Sequence, residues 1–350
     1  MVRIGLAGLG RFGKLHAEVF AQLPGADLVA ICDVDRATVD AVGDRLGIAA
    51  SGRFTDYGGL LAMGLDAVVI VTPEPLHAEM ALAAIARDIH VLCEKPLATT
   101  SAEGTRVVAA ARDAGVELQV GFLLRFDIQH ATLKDHIGSG TFGDLVSLRF
   151  KRNVSRAWFP AYGDFAHPVF ETTIHDLDLL IWYVDSPCTS VYAVSRSTSG
   201  HRFPDACFAL LTFANGAVGY VETVWLLPEG APANVLAGDW RGTIDAEIEV
   251  VGTNRAAKLS ALNSGLEIWG TDGILRPESA LWPTLHGRMA GALREEDAHF
   301  TRRVVARLAG TPLGPDAVCS VESAVTGLRL AEAIVLSAER GVAIDPATLA

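Results

Sequence analysis

The sequence has few of the features that mark secreted, membrane-spanning or nucleic-acid-binding proteins. Its five cysteines are widely spaced and form no CxxC pair, which is typical of reduced thiols in the cytoplasm. There are 29 Lys and Arg against 41 Asp and Glu, and the net charge of −12 disfavours a nucleic-acid or anionic membrane partner. No apolar run is long enough to span a bilayer. The first residues lack the apolar core and cleavage site of a signal peptide. We therefore expect a cytoplasmic protein.

What the sequence does contain is a regular alternation of short apolar runs and helical stretches over its first third. The strand-like runs include "VRIGLAGL", "ADLVAICD", "LDAVVIVTP" and "HVLCEKP", each followed by a segment with helical periodicity. This spacing predicts βαβ units, and hence a doubly wound parallel sheet with all strand carboxyl ends at one edge. At 350 residues the chain is long for a single core, so we expect two domains.

The pattern changes after about residue 121. "ACFALLTFANGAVGYVETVWLL" contains two alternating runs around Asn215-Gly216, a strong hairpin signal. We expect a large, mainly antiparallel sheet interrupted by a helix at 171–183, a long loop at 228–242, and a solvent-facing helix segment at "REEDAH". The predicted domains are 1–121, an α/β Rossmann domain, and 122–350, an α+β domain for substrate binding and oligomerisation. Whether the last helix packs back on the first domain stays open.

The segment "GLAGLGRFG" has the GxGxxG spacing between a strand and a helix. Such glycines allow a tight turn and a close approach of the backbone to a pyrophosphate. Asp33 ends the second strand, where a carboxylate binds the adenosine ribose and disfavours a 2′-phosphate, so NAD is expected rather than NADP. Arg36 leaves NADP as the less favoured alternative. The predicted cofactor loop comprises Gly8, Gly10, Arg11, Phe12 and Gly13.

Two further segments follow strands of the same sheet. In "VTPEPLH", Thr72 and Pro73 lie where the loop would pass the dinucleotide, while His77 either contacts the cofactor or packs as a structural residue. In "HVLCEKPLATT", Glu94 and Lys95 end a buried strand before Pro96. A lysine at the ligand-binding edge can hydrogen-bond a substrate hydroxyl and stabilise alkoxide character during hydride loss, whereas an ordinary surface lysine would pair with Glu94.

The helix "FETTIHDLDLLIWYV" carries a polar stripe on an otherwise apolar surface. Glu171, His175 and Asp178 are spaced i, i+4 and i+7, so an α-helix would place them on one face. A carboxylate one turn from a histidine can orient the imidazole for proton transfer. Zinc is the competing interpretation, but no further His or Cys stands at ligand spacing, and no metal is predicted. For three residues of the preceding loop, pocket lining and ordinary packing both stay open: Trp158, Tyr162 and His167.

Taken in this order, the motifs resemble the glucose–fructose oxidoreductase, inositol dehydrogenase and rhizopine-catabolism (Gfo/Idh/MocA) family. The matching pieces are "GLGRFG", "ICD", "TPEPLH", "HVLCEKPLA", "GFLLRFD" and "ETTIHDLDLL". The resemblance implies a Rossmann domain followed by a mainly antiparallel α/β domain. It implies that Lys95 is the catalytic lysine and His175 the proton-transferring histidine. Many relatives that oxidise polyols have Asp where this chain has Glu171. Arg125 and Asp178 match recurrent polar positions.

The expected activity is NAD-dependent oxidation of a secondary hydroxyl of a sugar, inositol or related polyol. Substrate is expected to bind between the domains, and the family implies a homo-oligomer, dimer or tetramer. One alternative is an enzyme that keeps NAD bound and oxidises its substrate only transiently, such as an epimerase, transhydrogenase or lyase. Another is a non-catalytic protein that senses a dinucleotide or sugar.

Overall fold

The computed structural model describes residues 1–237, 240–260, 266–270 and 273–349. The chain forms two compact units, one of 1–127 with 280–325 and the other of 128–279 with 326–350. The sequence predicts a boundary at residue 121 and leaves open whether the last helix packs back on the first domain. The first unit ends at residue 127 and also includes 280–325, so two distant parts of the chain build it.

The first unit contains a six-stranded parallel sheet in the order β3-β2-β1-β4-β5-β6. This order reverses direction between β1 and β4, the arrangement in which open α/β sheets bind ligands at the strand carboxyl ends. The strands are β1 (Val2–Ala7), β2 (Ala26–Cys32), β3 (Arg53–Phe54), β4 (Ala67–Ile70), β5 (His90–Glu94) and β6 (Leu118–Gly121). The helices between them are α1 (Arg11–Phe20), α2 (Arg36–Leu46), α3 (Tyr57–Leu61), α4 (His77–Ile85) and α5 (Ser101–Ala114).

The second unit is built on a six-stranded mixed sheet in the order β14-β13-β7-β10-β9-β8, in which only the β10–β7 pair is parallel. Its elements are α6 (Ile128–Gly138), β7 (Leu145–Ser155), α7 (Phe159–Tyr162), α8 (Ile174–Val184), β8 (Cys188–Arg196), β9 (Ala206–Phe213), β10 (Val218–Leu227), β11 (Val235–Ala237), β12 (Trp240–Gly242), β13 (Ile244–Gly252), β14 (Ala256–Ser260), β15 (Ile268–Gly270) and β16 (Gly273–Leu275). The predicted hairpin at Asn215-Gly216 joins β9 to β10. Both parts of the predicted fold class, the parallel sheet and the mainly antiparallel sheet, are confirmed.

The remaining elements are two short strands and two long helices, β17 (Thr284–Leu285), β18 (Arg288–Met289), α9 (Ala292–Leu308) and α10 (Val321–Arg340). Helix α9 packs in the core of the first unit, where Phe300 and Val304 join side chains of β1, β2 and α1. Because of this packing, Glu296 and Asp297 of "REEDAH" are fully buried. The prediction of a solvated face was therefore wrong for these two residues.

Two other local predictions can be compared with the structure. The loop predicted at 228–242 contains the paired strands β11 and β12, with residues 238 and 239 outside the described part of the chain. All five cysteines are free, and four of them are buried, as expected of small core residues: Cys32, Cys93, Cys207 and Cys319. Within the described residues, no helix has the combined length and hydrophobicity needed to cross a membrane.

Candidate active site

The loop between β1 and α1 requires glycine at two positions and offers open space at a third. Gly8 has φ +94°, and a Cβ there would overlap the carbonyl oxygen of Val71. A Cβ at Gly13 would overlap the carbonyl oxygen of Gly8. Around Gly10, by contrast, a Cβ would meet nothing within 4 Å. The first two glycines therefore allow the chain to fold, and the third leaves room for a ligand to approach the backbone at the amino end of α1.

Asp33 follows β2 directly and is tied to this loop. Its Oδ2 accepts a hydrogen bond from the Leu9 amide at 2.6 Å, and its Oδ1 accepts one from Asp35 N–H at 2.9 Å. Arg36, the residue that leaves NADP as an alternative, donates from Nε and Nη2 to the two carboxylate oxygens of Asp40, each at 2.9 Å. The open backbone at Gly10 and the nearby carboxylate fit a dinucleotide, whose pyrophosphate and adenosine ribose they would hold.

The loop after β4 is held by His77. Its Nε2 lies 2.7 Å from the Thr72 carbonyl oxygen and its Nδ1 lies 2.7 Å from the Pro96 carbonyl oxygen. The ring is almost fully buried at 1% exposure, whereas Thr72 is half-buried and Pro73 is exposed. His77 thus joins the "TPEPLH" loop to the "EKP" turn, the next strand end along the sheet.

The "EKP" turn lies at the carboxyl end of β5, at the same edge as the glycine loop. Glu94 is buried at 6% exposure, and its Oε2 accepts the backbone N–H of Lys95 at 3.1 Å. Lys95 is half-buried and is joined to Pro96 by a cis peptide bond. A Cβ on Gly121 would overlap Oε1 of Glu94, so glycine at the end of β6 makes room for this carboxylate.

A buried histidine that the sequence analysis did not identify supports Glu94. His16 is fully buried in α1, with Nε2 3.2 Å from Oε1 of Glu94 and Nδ1 2.9 Å from Oδ1 of Asp297. Burial opposes the charged ring, but the two carboxylates outweigh it and raise the pKa of His16 well above its ordinary value. His16, Glu296 and Asp297 offer ligand atoms within 4.8 Å of one another, a spacing open to a metal. Since both His16 nitrogens already face carboxylates, we describe the cluster as an ion-paired network.

In the second unit, the polar stripe begins in a π-helical turn. Residues Val169–Thr173 form this turn, and regular α-helix starts only at Ile174. Glu171 and His175 are half-buried, whereas Asp178 is buried at 1% exposure. The i, i+4 spacing in the sequence predicts an α-helix throughout, and the wider π turn changes the angular offset of Glu171 from His175. Such turns occur frequently at functional sites.

A second missed feature anchors α8 to the sheet. Asp176 is buried beside His175 in the chain, and its carboxylate accepts hydrogen bonds from Arg152 on β7, at 2.8 Å from Nη2 and 3.1 Å from Nε. Burial raises the pKa of Asp176, while the arginine acts in the opposite direction. The ion pair restrains rotation and sliding of α8, which carries His175. Nothing in the spacing of "IHDLD" distinguishes this aspartate from Asp178.

The residues predicted with less support lie in packed surroundings. The Arg125 guanidinium donates to the Val318 carbonyl at 2.6 Å and to the Ser323 hydroxyl at 2.8 Å. Trp158 and Tyr162 belong to an aromatic cluster with Phe159 and Trp225.

His167 accepts the Val169 amide at 3.1 Å. Burial lowers the pKa of His167 to about 4, so this ring is neutral at neutral pH. Within the glycine loop, Phe12 packs edge-on against His16 and Trp282, and Arg11 is exposed.

A Rossmann sheet with a glycine loop, an aspartate at the end of the second strand and a lysine at the carboxyl edge is typical of nicotinamide-dependent oxidoreductases. Residues 2–122 match the family model described as "Oxidoreductase family, NAD-binding Rossmann fold", and residues 130–258 match the "GFO/IDH/MocA C-terminal domain". The chain therefore belongs to the Gfo/Idh/MocA family of oxidoreductases. The predictions of this family and of an NAD-binding domain are confirmed.

Several relatives share substantial sequence with the chain. It is 32% identical over 256 residues to inositol 2-dehydrogenase of Rubrobacter xylanophilus, covering 69% of this chain and 70% of the relative. It is 34% identical over 230 residues to inositol 2-dehydrogenase of Acidothermus cellulolyticus, covering 64% and 66%. Scyllo-inositol dehydrogenase of Lactobacillus casei, solved with NAD(H) and scyllo-inositol, has the same fold, with a TM-score of 0.81, 22% identity and 99% of each chain covered.

Proposed function

We propose that the protein is an NAD-dependent dehydrogenase that oxidises a secondary hydroxyl of an inositol, a sugar or a related cyclic polyol. The observation that carries the proposal is the placement of Lys95 at the carboxyl end of β5, the same sheet edge as the Gly10 loop and Asp33. The relatives named inositol 2-dehydrogenase support the substrate class. A cyclic polyol is thus the first substrate to test.

In the proposed reaction, Lys95 and His175 both contact the hydroxyl that is oxidised. His175 accepts the hydroxyl proton as the O–H bond breaks, and the C–O bond becomes a carbonyl. The Lys95 ammonium hydrogen-bonds the same oxygen and stabilises its developing negative charge. Glu171 orients the imidazole from the preceding turn. A bound nicotinamide supplies the acceptor for the hydride that leaves the carbon. The proposal therefore requires both side chains to reach one substrate oxygen.

The proposed cofactor preference is NAD over NADP. Asp33 places a carboxylate where a 2′-phosphate would carry negative charge, and Arg36 pairs with Asp40. A carboxylate beside the adenosine ribose would repel a 2′-phosphate, so the phosphorylated cofactor would bind more weakly.

The test is NADH formation, followed by absorbance, with a panel of inositols, aldoses and glycosides. We expect turnover with at least one cyclic polyol and little with linear alcohols of the same size. Failure across the whole panel, with NAD binding intact, would contradict the dehydrogenase. In that case cofactor released on denaturing the purified protein indicates an enzyme that retains NAD, and polyol binding without turnover indicates a sensor.

We also propose that the chain forms a dimer or tetramer in a reducing compartment. One face of the mixed sheet exposes apolar side chains, among them Tyr192 at 46%, Val194 at 48% and Leu210 at 47%. Burial of such a face against a second copy removes apolar surface from water. Light scattering of the purified protein measures the assembly.

A further inference from the structure

Each of the two residues that flank Lys95 is held by a buried histidine. On the amino side, Glu94 contacts His16 through Oε1 and the Lys95 amide through Oε2. On the carboxyl side, the Pro96 carbonyl oxygen lies 2.7 Å from His77. Neither histidine is more than 1% exposed. Such buried, hydrogen-bonded side chains have little freedom to move, so the backbone they hold is restrained as well.

We infer that His16 and His77 are positioning residues for Lys95: each fixes one side of the Glu94–Lys95–Pro96 turn, so that the ammonium is presented to substrate in a single place. The inference rests on the proposed function, because it gives these histidines a role only through Lys95. Neither ring is assigned to contact substrate.

On the His16 side, the side-chain contacts join three elements of the first unit. His16 lies in α1, directly after the glycine loop, and Asp297 lies in α9, while Glu94 ends β5. Asp297 is fully buried and faces Nδ1, so the ring can turn only by losing one carboxylate partner. An imidazolium donates to both carboxylates at once from two separate ring nitrogens and carries a positive charge between them, whereas a glutamine amide is neutral and has both of its N–H groups on one nitrogen.

On the His77 side, both acceptors are backbone carbonyls. A neutral imidazole donates one hydrogen bond and an imidazolium donates two, so the charged ring satisfies Thr72 and Pro96 together. Burial lowers the pKa of His77, and the two carbonyl acceptors act in the opposite direction. The neutral ring, which the lowered pKa favours, donates to one of these carbonyls and packs against the other, so its place between Thr72 and Pro96 still links the loop after β4 to the turn after β5. This contact connects Thr72, which is predicted to lie beside the dinucleotide, to the turn that carries Lys95.

A double-mutant cycle tests the inference. The variants are H16Q, H77Q and K95A, with H16Q/K95A and H77Q/K95A, and D297N in case H16Q does not fold. The matched control is H90Q: His90 is a buried histidine at the other end of β5, where its Nδ1 accepts the Glu117 amide at 2.9 Å. Thermal unfolding is measured for every variant to establish that it is folded.

We expect H16Q and H77Q each to lower kcat about tenfold in the native background, the scale of one lost charge-assisted hydrogen bond, with less than about a twofold change in substrate KM. In the K95A background the same changes should lower kcat by less than about twofold, because there is no ammonium left to position. H90Q should leave kcat unchanged in the native background.

Hydrogen exchange of the apo protein gives a readout without turnover. The Lys95 amide donates to Glu94, and Pro96 has no amide, so faster exchange in the turn peptide reports loss of this bond. We expect faster exchange there in H16Q and not in H90Q.

The possible outcomes separate this inference from the proposed function. If K95A turns over as fast as the native enzyme, the proposed function of Lys95 and the positioning role of the two histidines are both wrong. If K95A is slow but H16Q and H77Q lower kcat by the same factor with and without Lys95, only the positioning role is wrong. Native kcat in both H16Q and H77Q would also overturn it.

Discussion

The Asp33 carboxylate accepts a hydrogen bond from the Leu9 amide at 2.6 Å, which ties the end of β2 to the loop between β1 and α1. Two parts of a dinucleotide, the ribose and the pyrophosphate, would therefore be bound by groups that hold each other in place. This relationship joins sites 24 residues apart in the sequence.

Replacement of Asp33 by Ala should weaken NAD binding about tenfold or more. It should also reduce the ratio of the affinity for NAD to the affinity for NADP. The physical reason is the loss of a charged hydrogen-bond acceptor for the ribose, together with loss of repulsion toward a 2′-phosphate. Fluorescence titration with both cofactors measures the dissociation constants.

The matched control for Asp33 is Asp35→Ala. Asp35 is exposed and caps α2, accepting from Ala37 and Thr38 amides. Its loss removes the cap of α2 and should lower the melting temperature slightly without changing NAD affinity. Equal NAD affinity in native protein and Asp33→Ala would contradict the ribose assignment.

Alanine substitutions at two glycines of the loop between β1 and α1 should distinguish an effect on folding from an effect on NAD binding. G10A has open space for the new methyl group and should keep nearly the native melting temperature, yet bind NAD at least about tenfold more weakly, because the methyl stands where phosphate would approach. G13A should instead lose thermal stability, since its Cβ would overlap the Gly8 carbonyl oxygen. Calorimetric melting and NAD titration of both variants check this. The reverse pattern would sink the assignment of Gly10 to the cofactor.

Replacement of Lys95 or His175 by Ala should lower turnover by about 10²–10⁴-fold, the usual range for one positioned acid–base group. NAD affinity should be retained in H175A, whose side chain lies outside the Rossmann unit. The controls are K258A and H136A, which remove an exposed lysine and an exposed histidine of the second unit. Native-like rates in both K95A and H175A would rule out the proposed acid–base pair.

Asp316 should contribute stability that depends on pH. Burial opposes its ionisation, but hydrogen bonds from His299 and from the amides of Cys319 and Val318 outweigh this and lower the pKa of Asp316 to about 2. A carboxylate with a depressed folded-state pKa stabilises the protein above its unfolded pKa, near 3.8, and loses that contribution as pH falls through about 2.

Asp316→Asn should therefore lower the free energy of unfolding by about 2 kcal/mol at pH 6. The difference from native protein should shrink as the pH falls below about 4. Urea unfolding at several pH values measures it, and a difference that is constant from pH 6 to pH 3 would show that the charge of Asp316 is not responsible. Asp44→Asn, at an exposed carboxylate, is the control.

Local pattern was sufficient for the parallel sheet, the hairpin at Asn215-Gly216 and the glycine turn between β1 and α1, because each depends on residues close together in the chain. It was not sufficient for α9. The charges of "REEDAH" are typical of a solvated face, and only the packing of Phe300 and Val304 into the first core shows that Glu296 and Asp297 are buried. The π-helical turn at Val169–Thr173 likewise could not be predicted from the spacing of apolar and polar residues.

By itself, the amino-acid sequence indicated which residues could carry the chemistry: the glycine spacing, Asp33 and Lys95 follow from motif and strand position, and His175 follows from the polar stripe of a helix. Only the tertiary structure decided which side chains hold the turn that carries Lys95. The partners of Glu94 are His16 in α1 and, through that ring, Asp297 in α9, which come from distant parts of the chain. The reason is physical: a buried charge is tolerated where other charges meet it, and the folding of separate segments into one core brings those charges together.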